Sequence, residues 1–117
     1  MRDSRERVLD ILEAIERIEK YALGGREEFE TNELVQVWTL HHLQVLGEAV
    51  NVLRPELRQS HPEIPWDSIV GMRNVLVHKY FEIDTDIIWT VIERELPELK
   101  ARFQSILDEL GPDSIHR

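Results

Sequence analysis

Apolar residues recur along this chain at steps of three and four, the spacing that lays one buried stripe along an α-helix. The first run follows Ser4 and takes Val8, Ile11, Leu12, Ile15, Ile18 and Ala22. Asp3 or Ser4 is placed to accept from the free N–H groups at its start, and Gly24-Gly25, which tolerate left-handed backbone, end it. A second run extends from about Glu27 to Leu53 through Phe29, Leu34, Val37, Trp38, Leu40, Val45, Leu46, Ala49 and Val50. It reads as the longest helix, with Thr31 or Asn32 as the alternative start. Pro55, Pro62 and Pro65 interrupt the pattern over 54–65, because each lacks an N–H donor and pushes its predecessor out of helical backbone. A loop or short turn is expected there.

A third, shorter helix starts near Pro65 to Asp67 and runs through Ile69, Met72, Val75 and Leu76 to about His78. Asp84, Thr85 or Asp86 caps a fourth that carries Ile87, Ile88, Val91, Ile92 and Leu96. Pro97 then either kinks it or opens a fifth with Leu99, Phe103, Ile106 and Leu107, which Gly111-Pro112 stops. No run alternates with the period of two that a strand needs, and no internal repeat is visible. The expected fold is all-α: an antiparallel bundle of four to five helices in a single domain over residues 1–117. Trp38, Trp66 and Trp89 are expected to pack between helices.

Composition narrows the chemistry. The chain has no Cys, which removes disulfides, thiolate metal sites and cysteine nucleophiles together. No apolar run approaches the ~20 residues of a membrane span, and Met1 to Arg7 lacks the apolar stretch of a signal peptide, so a cytoplasmic location without membrane contact is expected. The net charge of −9 argues against a protein that coats nucleic acid nonspecifically, since such binding rests on neutralising phosphates. The charge is uneven, however. Residues 54–80 hold Arg54, Arg58, Arg73 and Lys79 against Glu56, Glu63 and Asp67, a balance of +1 that leaves −10 for the remainder. An anionic ligand would meet the least repulsion there.

Several sites fail on inspection. No Glu-x-x-His pair exists for a carboxylate di-iron centre, and the adjacent His41 and His42 diverge by about 100° on a helix, which suits polar packing or an interface better than one metal ion. No glycine-rich phosphate cradle and no Gly-x-Ser-x-Gly elbow occurs. Glu27, Glu28, Glu30 and Glu33 read as a solvated face or a partner surface. No metal or other cofactor is expected.

One constellation remains, Arg73-Asn74-Val75-Leu76-Val77-His78-Lys79-Tyr80, inside the only window that is not acidic. Five residues on a continuous helix separate two side chains by about 140°, so Arg73 and His78 can face one ligand only if the helix ends or unwinds near His78. Arg offers a permanently charged fork of donors for a phosphate, and His can take a proton from a hydroxyl and return one to a leaving oxygen near neutrality. The pair suffices for metal-free RNA cleavage, in which a ribose 2′-hydroxyl attacks the adjacent phosphate. Asn74 can orient either partner, Lys79 is a candidate phosphate contact, and His61 could touch RNA, although loop histidines are more often simply solvated. In the competing structural reading, Arg73 pairs with a core carboxylate such as Glu48 while His78 and Tyr80 cap a helix end.

The octapeptide resembles the Arg-x4-His-x-Tyr hallmark of HepT-type toxins of the HEPN superfamily, matched by Arg73, His78 and Tyr80 with the polar Asn74 in place. Gly47-Glu48-Ala49, Pro65-Trp66, Met72-Arg73-Asn74, Ile88-Trp89 and Leu96-Pro97-Glu98-Leu99 support the resemblance along nearly the whole chain. It implies a helical homodimer with two motifs around a shared cleft, and a metal-independent endoribonuclease that uses Arg73 and His78 on an RNA substrate such as tRNA or mRNA. It also implies a type VII-like toxin–antitoxin system, in which a minimal nucleotidyltransferase (MNT) antitoxin adenylylates Tyr80, with a larger hetero-oligomer possible. Glu48, Asn74 and Lys79 are the expected supporting residues. The alternative is a non-catalytic helical module that docks a nucleotide or the nucleotidyltransferase.

Overall fold

Asp3 starts the first helix from extended backbone, its carboxylate accepting from the Glu6 N–H at 2.9 Å. The computed structural model describes residues 3–71 and 84–111, and within them all regular structure is helical. The order is α1 (Ser4–Ala22), α2 (Gly25–Thr31), α3 (Glu33–Asn51), α4 (Pro55–Gln59), helical residues 66–71 (α5), α6 (Thr85–Thr90), a π turn (Val91–Glu95) and α7 (Leu96–Leu110). The all-α bundle expected from the apolar spacing is therefore the fold. No described helix is long and apolar enough to cross a membrane.

Three local details depart from the apolar pattern. Of the two glycines after α1, only Gly25 takes left-handed backbone, at φ +90. The long second run divides at Asn32, whose φ of −113 and ψ of 104 leave the helix while its side chain accepts from the N–H groups of Leu34 and Val35 at 3.0 and 3.3 Å. A short amide side chain that can replace backbone partners in this way competes with helix continuation, so α2 ends and α3 starts afresh. The Gln36 side chain then donates to the Phe29 carbonyl at 2.9 Å and ties the two helices across the break.

The third detail concerns Pro97. Lacking an N–H, it cannot bond the carbonyl four residues back, and its ring crowds that carbonyl. The chain widens just ahead of it, with the Leu96 N–H reaching back to Val91, five residues earlier. Because a π turn absorbs the misfit, residues 85–110 stay helical throughout. In the proline-rich stretch Pro55 occupies the first turn of α4, where a missing donor costs nothing. Asp84 caps α6 by accepting from the Ile87 N–H at 3.1 Å.

Both long partners of α1 run antiparallel to it. On one side the Trp38 indole donates to the Arg17 carbonyl at 2.8 Å, while Arg7 lies near Ala49 and Val52 at the other end of α3. On the other side Lys100 meets Glu19 at 2.9 Å and the Arg5 guanidinium donates to the Gly111 carbonyl at 2.8 Å. Between them Val8, Ile11, Ile15 and Ile18 are fully buried against Leu43, Leu46, Val50, Leu96, Phe103 and Ile106. Trp66 and Trp89 pack on the rim of this core.

Phe103→Ala is expected to lower unfolding stability by about 3–5 kcal/mol through lost burial and the cavity left behind. Asn32→Ala should cost about 1 kcal/mol, the ordinary value of a lost N-cap. Denaturant titrations with unchanged slope test both, and an effect for Asn32→Ala as large as that for Phe103→Ala would contradict the capping account.

Candidate functional site

Arg73, Asn74, His78, Lys79 and Tyr80 lie outside the described residues, so the site is approached here through its two flanks and through Glu48. On the upstream flank, Ile64 and Ile69 are each only 2% exposed and pin the start of α5 to the core. Trp66 donates its indole N–H to the His61 carbonyl at 2.9 Å and lies edge-on to Phe103, ring centres 5.8 Å apart. The Ile69 N–H bonds the Pro65 carbonyl at 3.1 Å, which closes the first turn of α5.

His61 is not a solvated loop residue. Its side chain is only 12% exposed and sits between two carboxylates, with Nδ1 3.3 Å from Glu63 and Nε2 3.2 Å from Glu109 near the end of α7. A neutral imidazole has one N–H and can donate to one carboxylate, whereas the imidazolium can donate to both. Its own backbone amide holds the Glu63 carboxyl below the usual carboxylate range, against the opposing effect of desolvation, with His61 and then Arg102 adding to the lowering. The loop leading into α5 is thus latched to α7. Sequence reasoning missed this contact because its partner lies 48 residues downstream; the only local sign was an apolar Ile64 bracketed by Pro62 and Pro65.

On the downstream flank, Asp84 caps α6 and Asp86 pairs with Arg26 of α2, which also bonds Glu30 at 2.8 Å. These partners hold the Arg26 guanidinium above its ordinary value, the Glu30 hydrogen bond foremost. Phe29 and Trp89 stack with centres 5.7 Å apart and fasten α2 to α6 beneath the ion pair. Glu27, Glu28, Glu30 and Glu33 are all exposed, as a solvated face or a partner surface requires.

Glu48, the one described member of the expected site, is exposed on the outer side of α3. It is not a core carboxylate, which corrects the structural reading that would have buried it. The reason is its place on the helix: Gly47 and Val50 turn inward and Glu48 turns out. It borders two surface grooves. One, of about 320 Å³ between α1 and α3, includes Arg7, Asp10, Glu13, Arg17 and His42; a smaller one of about 260 Å³ includes His41, Gln44 and Val45. His42 is 7% exposed, and its Nδ1 lies 2.9 Å from the Trp38 carbonyl. A carbonyl only accepts, so Nδ1 is the donor in this contact. His41 is exposed, with its ring perpendicular to that of His42, and the described residues hold no cluster of metal-ligating side chains.

A helical bundle of this kind, with firmly anchored segments on either side of an Arg-x4-His-x-Tyr stretch, belongs to a recognisable class of all-α domains. The family model described as ribonuclease HepT-like matches residues 11–106, and the chain belongs to the HepT-like family. Several relatives carry provisional ribonuclease names. A Methanocaldococcus jannaschii protein named as a gamma-glutamylcyclotransferase and RNase is 36% identical over 86% of this chain, which spans only 46% of that longer protein. A second protein of the same organism, named as an RNase, is 33% identical over 93% of this chain and 91% of its own length. A Thermococcus cleftensis protein named as a ribonuclease HepT is 32% identical over 90% of this chain and 96% of its own. No solved structure matches.

The Glu63 contribution to stability has a definite sign. Because its folded-state carboxyl titrates below the unfolded value, the contribution is present above that unfolded value and is lost as pH falls through the folded one. Glu63→Gln should therefore melt below the wild type at neutral pH, with the gap closing in acid. A gap in melting temperature that stays constant from pH 7 to pH 3 would contradict this account of the Glu63 carboxyl.

Proposed function

We propose that this chain is the toxin of a type VII-like HEPN/MNT toxin–antitoxin system, a metal-independent endoribonuclease acting in the cytoplasm. The observation that carries the reading is the complete Arg73, Asn74, His78, Tyr80 pattern in a chain of the HepT-like family. The ribonuclease names of its relatives favour RNA as the substrate class. In this reading residues 1–117 form one domain, and two copies associate so that two motifs share a cleft.

The chemistry needs two side chains. His78 takes the proton from a ribose 2′-hydroxyl, whose oxygen attacks the adjacent phosphorus as the bond to the 5′-oxygen breaks. The leaving oxygen receives a proton, and the products are a 2′,3′-cyclic phosphate and a 5′-hydroxyl. Arg73 holds the phosphate oxygens as charge builds on them, a task for a fixed guanidinium fork. Asn74 orients one of the pair, Lys79 adds a phosphate contact, and Glu48 is the supporting carboxylate. The local +1 window meets the phosphate while the remainder of the chain repels bulk RNA, so binding is weak and substrate passes through.

Silencing follows from the same charges. The antitoxin transfers AMP from ATP to the Tyr80 phenol oxygen, which attacks the α-phosphorus as pyrophosphate leaves. The product places a bulky phosphodiester, one negative charge, two residues from His78, where an RNA phosphate would have to sit.

Arg73→Ala and His78→Ala are expected to abolish cleavage of tRNA and messenger RNA while leaving the far-ultraviolet circular dichroism unchanged. Retained cleavage by either folded variant refutes the assignment. Tyr80→Phe should gain no AMP when incubated with the nucleotidyltransferase and ATP, whereas the wild type gains one AMP by intact mass and loses activity.

A further inference from the structure

The start of α3 carries more apolar surface than the fold uses. From Leu34 to Gly47 there is no Asp, Glu, Lys or Arg, in a chain where these make up 32% of residues. Val35, Leu43, Leu46 and Val50 serve the core, while Leu34 is left 82% and Val37 42% exposed, beside a 42% exposed Tyr21 near the end of α1. Tyr21, Leu34, Val35, Val37, Trp38 and His41 line a groove of about 540 Å³ there.

Three of those six side chains are aromatic rings, and none is acidic. The wall is firm, since the Trp38 indole donates to the Arg17 carbonyl at 2.8 Å and meets the Tyr21 ring edge-on, centres 4.9 Å apart. Charges stand around the groove. The Lys20 ammonium lies 5.7 Å from the centre of the Tyr21 ring, Arg17 is paired with Glu13 at 3.2 Å, and Glu33, just ahead of Leu34, is exposed. His41 also lines the groove of about 260 Å³ that reaches Glu48. Val45 and Glu48 in turn border the groove that holds Arg7, Asp10, Glu13, Arg17 and His42. From Trp38 to Glu48 the path follows α3 for about 15 Å at the helical rise.

We propose that the aromatic groove docks an unpaired base of single-stranded RNA, the base against the Trp38 and Tyr21 rings and its phosphate at Lys20, a few nucleotides from Glu48. The inference rests on the ribonuclease reading above and gives the protein a hold on substrate away from the motif. Single strands are held in two ways, by cations along the backbone and by aromatic faces under the bases. A chain of −9 has little of the first. The second needs no positive field, and it tolerates any sequence because every base has a π face. A lining without carboxylates lets the phosphates beside the base approach without meeting like charge, and Lys20 supplies the one cation a single phosphate needs. Beyond His41 the strand meets mixed charge, Arg7 and Arg17 against Asp10, Glu13 and Glu48, so the rings are the firmer hold. Duplex RNA keeps its bases stacked and gains nothing from them.

The probe that tests this is a short 2′-O-methyl RNA, which has no free 2′-hydroxyl and cannot be cut. In the full chain labelled with 5-fluorotryptophan, the fluorine resonance of Trp38, assigned by its loss in Trp38→Phe, should shift as probe is added while those of Trp66 and Trp89 stay in place. The same sugar-phosphate chain without bases should leave Trp38 unmoved. Tyr21→Ala should weaken binding about tenfold or more, the ordinary worth of one stacked base. Val37→Glu should weaken it and Val37→Lys strengthen it; Leu34→Glu and Leu34→Lys replace this pair should either variant lose helical content. Absence of binding, binding that leaves Trp38 unmoved, or an equal shift with the baseless chain overturns the proposal. So does a change in sedimentation mass on Val37→Glu, since a second copy would then cover the groove. Because the probe is not cut, an inert protein that docks it refutes only the ribonuclease reading, and an active one that leaves Trp38 untouched refutes only the groove.

Discussion

The burial of α1 between α3 and α7 is the constraint from which the other features follow. Six of its residues, Val8, Ile11, Leu12, Ala14, Ile15 and Ile18, are buried, and they serve two neighbours at once because the stripe is wide enough to face both. Polar contacts near its ends act as registers more than as glue: Arg5 to the Gly111 carbonyl, Lys100 to Glu19 and the Trp38 indole to the Arg17 carbonyl. The Glu19 hydrogen bond raises the Lys100 ammonium above its ordinary value, yet both partners are about one-third exposed, where such pairs contribute little. A chain with nine excess negative charges pushes itself apart, so the apolar contacts must carry the fold.

The long elements were legible in the sequence because each must present a stripe to that core, and a stripe leaves a periodic trace. The departures share a different origin. Asn32, offered by its residue type as an alternative cap, breaks the second run by local hydrogen bonding that hydrophobic spacing alone cannot register. The π turn ahead of Pro97 is one of several ways to accommodate a proline, and apolar spacing does not choose among them. The His61 latch joins positions 48 residues apart through charges, which no local pattern encodes. At the candidate site the residue types of Arg73, His78 and Tyr80 admitted both a chemical and a structural reading, the family resemblance favoured the first, and these three residues lie outside the described ones. Glu48 was legible as a member of α3 but not as an exposed one, because the motif says nothing about which side of the helix is covered.

The placement of charge links fold to function. Among the described residues no carboxylate is buried, while the strip from Arg54 to Tyr80 is nearly neutral in sequence and α3 carries no charged side chain from Leu34 to Gly47. A protein so arranged does not hold RNA by its general field. In the proposed reading, RNA meets the protein at one small cationic point, and a single phosphodiester on Tyr80 is enough to cancel it. The segments on either side of the motif are themselves anchored, by Ile64, Ile69 and the His61 latch upstream and by the Asp84 cap and Asp86 pair downstream.

The most direct test of the central claim is the identity of the ends left on RNA cut in excess EDTA by protein whose Tyr80 is unmodified by intact mass. Attack by the ribose 2′-hydroxyl predicts 2′,3′-cyclic phosphate and 5′-hydroxyl ends, formed at the same rate with and without the chelator. Ends bearing 3′-hydroxyl and 5′-phosphate, or cleavage that stops when EDTA is added, would show that water delivered by a metal does the cutting, and the account built on Arg73 and His78 would be wrong.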